Sequence, residues 1–239
     1  MRILAIDSAS VSGSAAIWER TLSGERAEER LVAQSYLRCG LTHSETLLPQ
    51  VEQLLSWTGL SLTSFDCVAV TVGPGSFTGV RIGVAAAAGL ALAADLRCCG
   101  VSTLEAAAGG LRFLDARVRA VMDARREQVY TALFAAWGGR LARLSEDEAL
   151  PVRALGKDGG DEAAFLVGDG ALLTARTLGE GHGYRLVPDA LCYPSACNVA
   201  ALAGERQGEW IPPEALRPVY LRAPQAERER QERDAKAGG

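Results

Sequence analysis

VAVTVGPGSFTGVRIGVAAAAGLALAA, residues 68–94, is the stretch that decides the fold of this chain. Residues 68–72 form a short apolar run of the length typical of a strand buried on both faces. Gly73, Pro74 and Gly75 then end the strand, because proline cannot continue a ladder and glycine opens backbone angles closed to other residues. Either Ser76 or Thr78 can cap the helix that follows. The stretch therefore predicts a central strand, a tight turn and a helix.

The predicted helix over residues 79–94 carries little side-chain bulk on two of its faces. Small residues recur at every fourth position, on one face at Gly79, Gly83, Ala87 and Ala91 and on another at Ala85, Gly89 and Ala93. One face must pack on the chain's own sheet, and the other is either part of the same core or covered by a second polypeptide. Arg81 and Asp95 bracket a run too short and too rich in glycine to span a bilayer.

Composition indicates an ordinary globular protein with no broad positive field. Of 239 residues, 48% are hydrophobic and 23% charged, and 25 Lys and Arg against 29 Asp and Glu give a net charge of −4. Such a charge does not hold a nucleic-acid backbone unaided. If RNA is involved, we expect most of its contacts to be made by something other than this chain.

The six cysteines predict neither a zinc site nor a disulfide framework, because they form no C-x-x-C pair and no histidines cluster near them. Met1 leads directly into a predicted strand, so we expect no signal segment. We therefore expect the chain to reside in the reducing cytoplasm.

The remainder of the first half alternates strands with one helix. Strands are predicted at residues 2–6, 13–18, 31–37 and 97–101. Thr42 and Glu45 fit a capping box, and leucine and valine at helical spacing follow it, which predicts a helix over residues 43–58. Pro49 either kinks the first part of this helix or moves its start to a later residue.

The second half repeats the opening of the chain. Ser102 and Glu105 suggest a second capping box. The predicted strands at residues 118–122 and 129–136 meet at a polar turn, as do the first two strands, and Asp7 and Asp123 end the first strand of each pair. A helix is predicted over residues 194–204. This internal duplication predicts two related α/β halves with a cleft between them, which we divide into residues 1–102, residues 103–213, and a C-terminal segment with a mixed-charge tail, 214–239.

Six motifs together resemble the TsaB family, also called YeaZ, over nearly the whole chain. They are IDSA (6–9), HSETLLP (43–49), GPGSFTGVRIG (73–83), DAR (123–125), GDG (168–170) and PVYLR (218–222). The resemblance implies an α/β, actin-like (ASKHA) fold of two ribonuclease-H-like halves, with mixed sheets flanked by helices. It also implies a role in making N6-threonylcarbamoyladenosine at position 37 of tRNA, together with the catalytic relative TsaD and the small ATPase TsaE.

The resemblance also predicts that the chain holds no metal and no catalytic residue. Relatives like TsaD carry a metal on a His-x-Glu-x-His motif, and the same register here holds Thr103, Glu105 and Ala107. The chain's two histidines, His43 and His182, lie on unlike segments and cannot rebuild such a site nearby. We therefore expect the metal in TsaD only.

Each remaining candidate for cofactor contact has a structural alternative. Asp7 lies where actin-like ATPases position phosphate or magnesium, but a carboxylate at the end of a strand commonly ties down the next turn. Gly73 and Gly75 resemble a phosphate loop, although the lysine of a P-loop is missing and a structural turn is favoured. His43 fits a capping or surface role better than that of a base. Arg81 is suited to pair with a partner's carboxylate or with a carbonyl at a helix end.

The resemblance implies a non-catalytic subunit that binds TsaD through helices 43–58 and 79–94, and this is our prediction. The predicted interface comprises His43, Glu45, Leu48, Val51, Arg81, Gly83 and Ala87. Gly83→Trp and Ala87→Trp are expected to fold but to lose TsaD. We also expect TsaE as a partner in the complex, tRNA binding through the complex, a homodimer in isolation and no membrane association. Direct contact of this chain with TsaE, and ATP or ADP at the junction with TsaD and TsaE, stay open.

Two other functions stay open. One is a stand-alone ATP-dependent transferase or kinase of the actin-like superfamily, which Asp7 favours. The other is a peptidase, against which the sequence argues because it lacks H-E-x-x-H and a G-x-S-x-G motif around Ser76.

Overall fold

A five-stranded mixed sheet is built by the first half of the chain. The computed structural model describes residues 1–23, 26–40, 42–157 and 164–222. In chain order the first elements are β1 (Arg2–Asp7), β2 (Gly13–Ser23), β3 (Arg26–Leu37), α1 (His43–Thr58), β4 (Cys67–Gly73), α2 (Phe77–Ala93) and β5 (Arg97–Ser102). The strands lie in the order β3-β2-β1-β4-β5. The pairs β1–β2 and β2–β3 are antiparallel, and β4 runs parallel to both β1 and β5.

A second mixed sheet follows. Its elements are α3 (Thr103–Gly109), β6 (Ala116–Asp123), β7 (Gln128–Trp137), β8 (Arg140–Arg143), β9 (Glu148–Pro151), β10 (Ala164–Val167), α4 (Ala171–Leu178), β11 (Tyr184–Leu186), α5 (Asp189–Cys192) and α6 (Ala196–Glu205). The strand order is β11-β10-β6-β7-β8, and β9 also pairs with β7. Strand β6 is antiparallel to β7 and parallel to β10.

The two sheets share one topology. In each, the first strand has an antiparallel hairpin partner on one side and parallel strands on the other, so that β3-β2-β1-β4-β5 corresponds to β8-β7-β6-β10-β11. Asp7 and Asp123 end the corresponding strands β1 and β6. The prediction of two related α/β halves with an actin-like arrangement is confirmed.

Both helix starts near the predicted surface agree with their capping signals. Helix α1 begins at His43 and runs through Pro49, so the later start that Pro49 suggested is wrong. The Glu45 carboxylate accepts hydrogen bonds from the Thr42 backbone N–H, at 3.2 Å, and from the Thr42 hydroxyl. Helix α2 begins two residues earlier than predicted, because Ser76 caps it by accepting the Gly79 N–H.

Helices cover both faces of the first sheet. Helices α1 and α2 share one hydrophobic core with Leu4, Ile6 and Val70. On the opposite face, α6 packs against Ile3 and Ala5. Strand β4 is therefore buried along its whole length, as the apolar run at residues 68–72 predicted. Although α6 follows the second sheet in sequence, it packs on the first; the division at residue 102 stays a prediction.

The chain after α6 returns to the first half and lies along it. Ile211 pairs with Cys98 of β5, and Leu216 is buried in the same core as α1 and α2. Val219 N–H donates to the Val72 carbonyl at 2.7 Å. We call residues 216–222 the C-terminal strap. The predicted mixed-charge tail beyond residue 222 lies outside the described residues.

Two further findings bear on the setting of the chain. All six cysteines are free, and burial raises the pKa of the Cys98 thiol to about 11. Across the ranges that the structure describes, no helix is long and apolar enough to cross a membrane.

Candidate partner-binding surface and inter-lobe cleft

One face of α2 is pressed onto the chain's own sheet and its first turn. A Cβ atom added at Gly83 would lie 2.4 Å from the Ser8 hydroxyl, and one at Gly79 would lie 2.1 Å from the Ser8 carbonyl oxygen. The Ser8 hydroxyl donates to the Gly79 carbonyl at 2.8 Å. Ala87 and Ala91 are fully buried on the same face. The small residues at 79, 83, 87 and 91 thus serve intramolecular packing.

The other small face of α2 is open to solvent. Ala85, Gly89 and Ala93 are exposed, and a Cβ added at Gly89 would meet nothing within 4 Å. Leu92 beside them is 73% exposed. Arg81 is the only charged residue in the helix sequence. This outer face is therefore mostly small and apolar, which is unusual for a helix surface in contact with water.

Helix α1 adds larger apolar side chains to the same flank of the sheet. Leu48 is 50% and Trp57 71% exposed. The two helices meet at their N-terminal ends, where His43 would touch a Cβ added at Gly79. We call the exposed residues of the two helices the helix-pair surface, comprising Glu45, Leu48, Trp57, Arg81, Ala85, Gly89 and Leu92.

The predicted interface residues divide between this surface and the core. Glu45, Leu48 and Arg81 are exposed. In contrast, Val51, Gly83 and Ala87 are buried and contact the chain's own core.

The expectation that Gly83→Trp leaves the fold intact is therefore wrong, because the site has no room for any side chain. Trp57 and Leu92 were not among the predicted interface residues, although a tryptophan outside the apolar stripe of α1 was an available signal.

Arg81 is held in place by two aromatic rings. Its Nε–H donates to the Tyr220 hydroxyl oxygen at 2.7 Å, and its Cζ lies 3.9 Å from the centroid of the Phe77 ring. The rings of Phe77 and Tyr220 are 5.0 Å apart between centroids. We call these three residues the Arg81 cluster.

A cleft of about 540 Å³ lies between the two halves. Its walls come from the β1–β2 turn, the β4–α2 turn, the β6–β7 turn, the loop after β10 and the C-terminal strap. The side chains include Arg38, Tyr130, Tyr193 and Arg222, and Phe77 and Tyr220 of the Arg81 cluster form part of one wall. The cleft predicted from the internal duplication is thus present.

Asp7 lies behind the cleft wall, where it ties the first turn together. It is fully buried, and its Oδ1 accepts hydrogen bonds from the Thr71 hydroxyl, at 2.6 Å, and from the Ala9 N–H, at 3.2 Å. Burial raises the pKa of its carboxyl, against the lowering effect of these bonds. Within the described part of the chain, Asp7 Oδ2 is buried without a hydrogen-bond partner.

Gly73 and Gly75 allow close backbone packing. A Cβ on Gly73 would lie 2.3 Å from the Val219 carbonyl oxygen, and one on Gly75 equally near the Ala9 carbonyl oxygen. Both residues have φ angles in the region that favours glycine, 117° and 157°. The Ser76 N–H donates to the Ala9 carbonyl at 2.8 Å. This geometry fits the structural turn better than a loop open to phosphate.

A pair of carboxylates, Asp123 and Asp169, lies in the cleft. The Asp123 N–H donates to Asp169 Oδ1 at 2.8 Å. Burial, together with the nearby charge of Asp123, raises the pKa of Asp169 to about 6. Asp123 in turn accepts the Arg125 N–H at 2.7 Å and fixes the β6–β7 turn.

The geometry around Ser76 assigns it a structural role. Its hydroxyl caps α2, while His43 Nε2–H donates to the Ser10 carbonyl at 2.8 Å. Because this bond occupies His43 Nε2, it agrees better with the predicted capping or surface role than with the role of a catalytic base.

Glu105, which the sequence resemblance placed in the register of a metal-binding motif, is enclosed by arginines. Its carboxylate pairs with Arg206, and at 3.5 Å with Arg143. Of the capping box predicted here, only the Ser102 half forms, because Glu105 turns to these arginines. Among the described residues, no group of three or more His, Cys, Asp and Glu side chains is placed to hold a metal.

Two duplicated halves, a cleft between them and a helix pair on one flank define the chain as an α/β protein of the actin-like class. Residues 38–166, just over half of the chain, match the family model described as "TsaD: tRNA N6-adenosine threonylcarbamoyltransferase". The tRNA threonylcarbamoyladenosine biosynthesis protein TsaB of Escherichia coli is 33% identical over 93% of this chain and 95% of its own length. The chain belongs to the TsaB family, also called YeaZ.

Other relatives agree with this assignment. Bacillus subtilis TsaB is 34% identical over 62% of this chain and 61% of its own length. The structure of YeaZ from Pseudomonas aeruginosa superposes with a TM-score of 0.75 at 30% identity, over 92% of this chain and 99% of that one. Another Pseudomonas aeruginosa structure, described as an uncharacterized protein with similarity to peptidase YEAZ, has a TM-score of 0.76 at the same identity and coverage.

Proposed function

We propose that this chain takes part in the synthesis of N6-threonylcarbamoyladenosine in tRNA as a non-catalytic subunit that binds and activates TsaD. The names of the curated TsaB relatives support the process. The single observation that supports the binding role is the helix-pair surface, where Leu48, Trp57 and Leu92 are at least half exposed. Large exposed apolar patches commonly mark sites of protein–protein contact.

The shape of this surface suits a second pair of helices. Gly89 and Ala85 let another backbone approach closely, while Leu48, Trp57 and Leu92 supply apolar area. Since TsaD is the related catalytic protein, it would present the corresponding helices of its own first half, and the two pairs would form a four-helix contact. Binding at this surface would favour the conformation of TsaD that transfers threonylcarbamoyl to the adenine.

The other components of the reaction belong, in this proposal, to the partners. TsaD holds the metal, and TsaE supplies ATPase activity; ATP or ADP lies, if anywhere, at the junction of the three chains. tRNA reaches the assembly through TsaD, which agrees with the net charge of −4. The pairing of Glu105 with two arginines supports placing the metal elsewhere.

Reconstitution tests the proposal. Purified TsaD and TsaE are supplied with ATP, threonine, bicarbonate, the enzyme that makes the threonylcarbamoyl adenylate, and unmodified tRNA, with or without this chain. We expect modified tRNA to accumulate much faster with the chain present. Gly89→Trp should abolish both activation and co-elution with TsaD, because the new ring fills the close-approach site while leaving the fold intact.

Leu172→Trp is the matched control for this variant, because Leu172 is a half-exposed residue of α4 in the other half of the chain. It should activate TsaD as the original chain does. Modification that proceeds equally without the chain, or normal co-elution of Gly89→Trp, would overturn the proposal.

A stand-alone ATP-dependent transferase or kinase is the second candidate, favoured by the cleft between the halves. Its test is nucleotide binding by the isolated chain. Micromolar affinity that is lost in Asp7→Ala but kept in Leu172→Trp would favour this function. We expect no such binding, because Asp7 is fully buried and bonded to Thr71 and Ala9.

A further inference from the structure

We propose that Tyr220 and Phe77 are positioning residues, which hold the Arg81 guanidinium ready to receive a carboxylate side chain of the partner subunit. This inference rests on the proposed function, because the partner is the one that binds the helix-pair surface. It assigns a specific role to the C-terminal strap, whose sequence motif the proposed function does not otherwise use.

The Arg81 cluster leaves one edge of the guanidinium available. The Nε–H is used by the Tyr220 hydroxyl, and one face of the group lies on the Phe77 ring. The other edge, formed by Nη1 and Nη2, makes no hydrogen bond within the described part of the chain, and Arg81 is exposed. That edge carries two parallel N–H donors, which match the two oxygens of a carboxylate.

Fixing this side chain in the free protein favours binding. A free arginine on a surface samples many rotamers, and ordering them opposes association. Here Tyr220 fixes the position of Nε and Phe77 fixes the plane of the guanidinium, so much of that ordering is complete before the partner arrives. The stacked guanidinium is also weakly hydrated, which lowers the cost of taking it into an apolar contact.

The strap is itself anchored by the turn that precedes α2. Val219 donates to the Val72 carbonyl at 2.7 Å, one residue before Tyr220. This approach is possible because Gly73 has no side chain; a Cβ there would lie 2.3 Å from the Val219 carbonyl oxygen. Gly73 therefore helps to place the Tyr220 hydroxyl, although the two residues are far apart in sequence.

A carboxylate fits the site better than a phosphate of RNA. Arg81 is the only charged residue of α2, and its outer-face neighbours Ala85 and Gly89 offer no further cation to follow a phosphate backbone. A cation that is single on its helix and lies beside an apolar contact is balanced by one opposite charge, which a single Asp or Glu of the partner supplies.

The test measures TsaD affinity for the original chain, Arg81→Gln, Tyr220→Phe and the double variant, at low and high salt. We expect Arg81→Gln to weaken binding about tenfold and to reduce its salt dependence. Tyr220→Phe, which keeps the ring beside Phe77, should weaken binding about threefold, and the double variant should be no weaker than Arg81→Gln alone. Thermal unfolding of each variant checks that the fold is retained, and Arg185→Lys, at an exposed site of β11, is the control.

The possible failures are distinguishable. If the original chain does not bind TsaD, the proposed function falls and this inference falls with it. If it binds and Arg81→Gln binds equally well, or if the two substitutions are additive, the inference alone is overturned. If Arg81→Gln binds TsaD with unchanged affinity but its complex with TsaD no longer binds tRNA, the inference is overturned in favour of a contact between Arg81 and a phosphate.

Discussion

The carboxylate of Glu105, in α3, forms an ion pair with the guanidinium of Arg206, just after α6. The same carboxylate lies 3.5 Å from Arg143 of β8, which also pairs with Asp147 at 2.5 Å. Because α6 packs on the first sheet and β8 belongs to the second, this network joins the two halves. Glu105 thus has a structural role in this chain.

Glu105→Gln should destabilise the fold. The side chain of Glu105 is largely buried, and the substitution leaves two partly buried guanidinium groups without their shared anion. We expect the free energy of unfolding to fall by about 2 kcal/mol, below the range for fully buried pairs because the arginines are partly exposed. Urea unfolding measures the loss. Glu180→Gln, at an exposed site, is the control, and equal stability of the two variants would contradict this role.

Two glycines of α2 should respond oppositely to alanine. Gly89→Ala should raise the free energy of unfolding by up to about 1 kcal/mol, because alanine is the better helix former and the site is open. Gly83→Ala should lower it, because the new methyl group would lie 2.4 Å from the Ser8 hydroxyl. Thermal and urea unfolding compare the pair. A gain in both variants would mean that the sheet-facing side of α2 is misassigned.

Asp169 should make stability depend on pH. Its folded-state pKa is raised from 3.8 to about 6, so the folded chain holds this proton more tightly than the unfolded chain does. The protonated Asp169 carboxyl therefore contributes to the stability of the fold in full below the unfolded-state pKa, and this contribution is lost as the pH rises through the folded-state pKa of about 6. Asp169→Asn keeps an oxygen for the Asp123 N–H and removes this loss. The free energy of unfolding of Asp169→Asn, measured relative to that of the original chain, should therefore increase by about 1–2 kcal/mol from about pH 5 to about pH 8.

Urea unfolding at the two pH values measures this gain. Glu180→Gln, which removes an exposed carboxylate, should show no comparable change. A difference between Asp169→Asn and the original chain that does not vary with pH would contradict the assigned cause.

Local sequence signals were sufficient to predict the central strand, the helix that follows it and the duplication. The apolar run ending at Gly73 and the corresponding aspartates Asp7 and Asp123 are short-range patterns, and each matches the structure. Of the two capping candidates, Ser76 and Thr78, the structure uses Ser76. Such patterns are informative because strand and helix periodicity reflect burial within a few residues. The turn-forming roles of Asp7, Gly73 and Gly75 could be considered from sequence for the same reason, because they too depend on residues close by in the chain.

The assignment of faces on α2 could not be made from sequence. Gly83 and Ala85 are both small, and periodicity does not distinguish a face that packs on the sheet from one that is open. The distinction depends on Ser8, which is 75 residues earlier in the chain and fills the space beside Gly83. The contact between Arg81 and Tyr220 spans 139 residues and was likewise invisible. Long-range packing decided both points.

The isolated chain should form a homodimer through the helix-pair surface when TsaD is missing. Leu92 is 73% and Trp57 71% exposed, and burying both against a second copy removes apolar surface from water. Leu92→Glu introduces a charge into that contact, so it should shift the chain to a monomer without lowering its stability, since Leu92 packs little against its own fold. Light scattering across a concentration series measures the mass. Leu172→Glu, at a half-exposed site of α4, should remain dimeric. A monomer at high concentration for the original chain, or a dimer for Leu92→Glu, would contradict self-association through this surface.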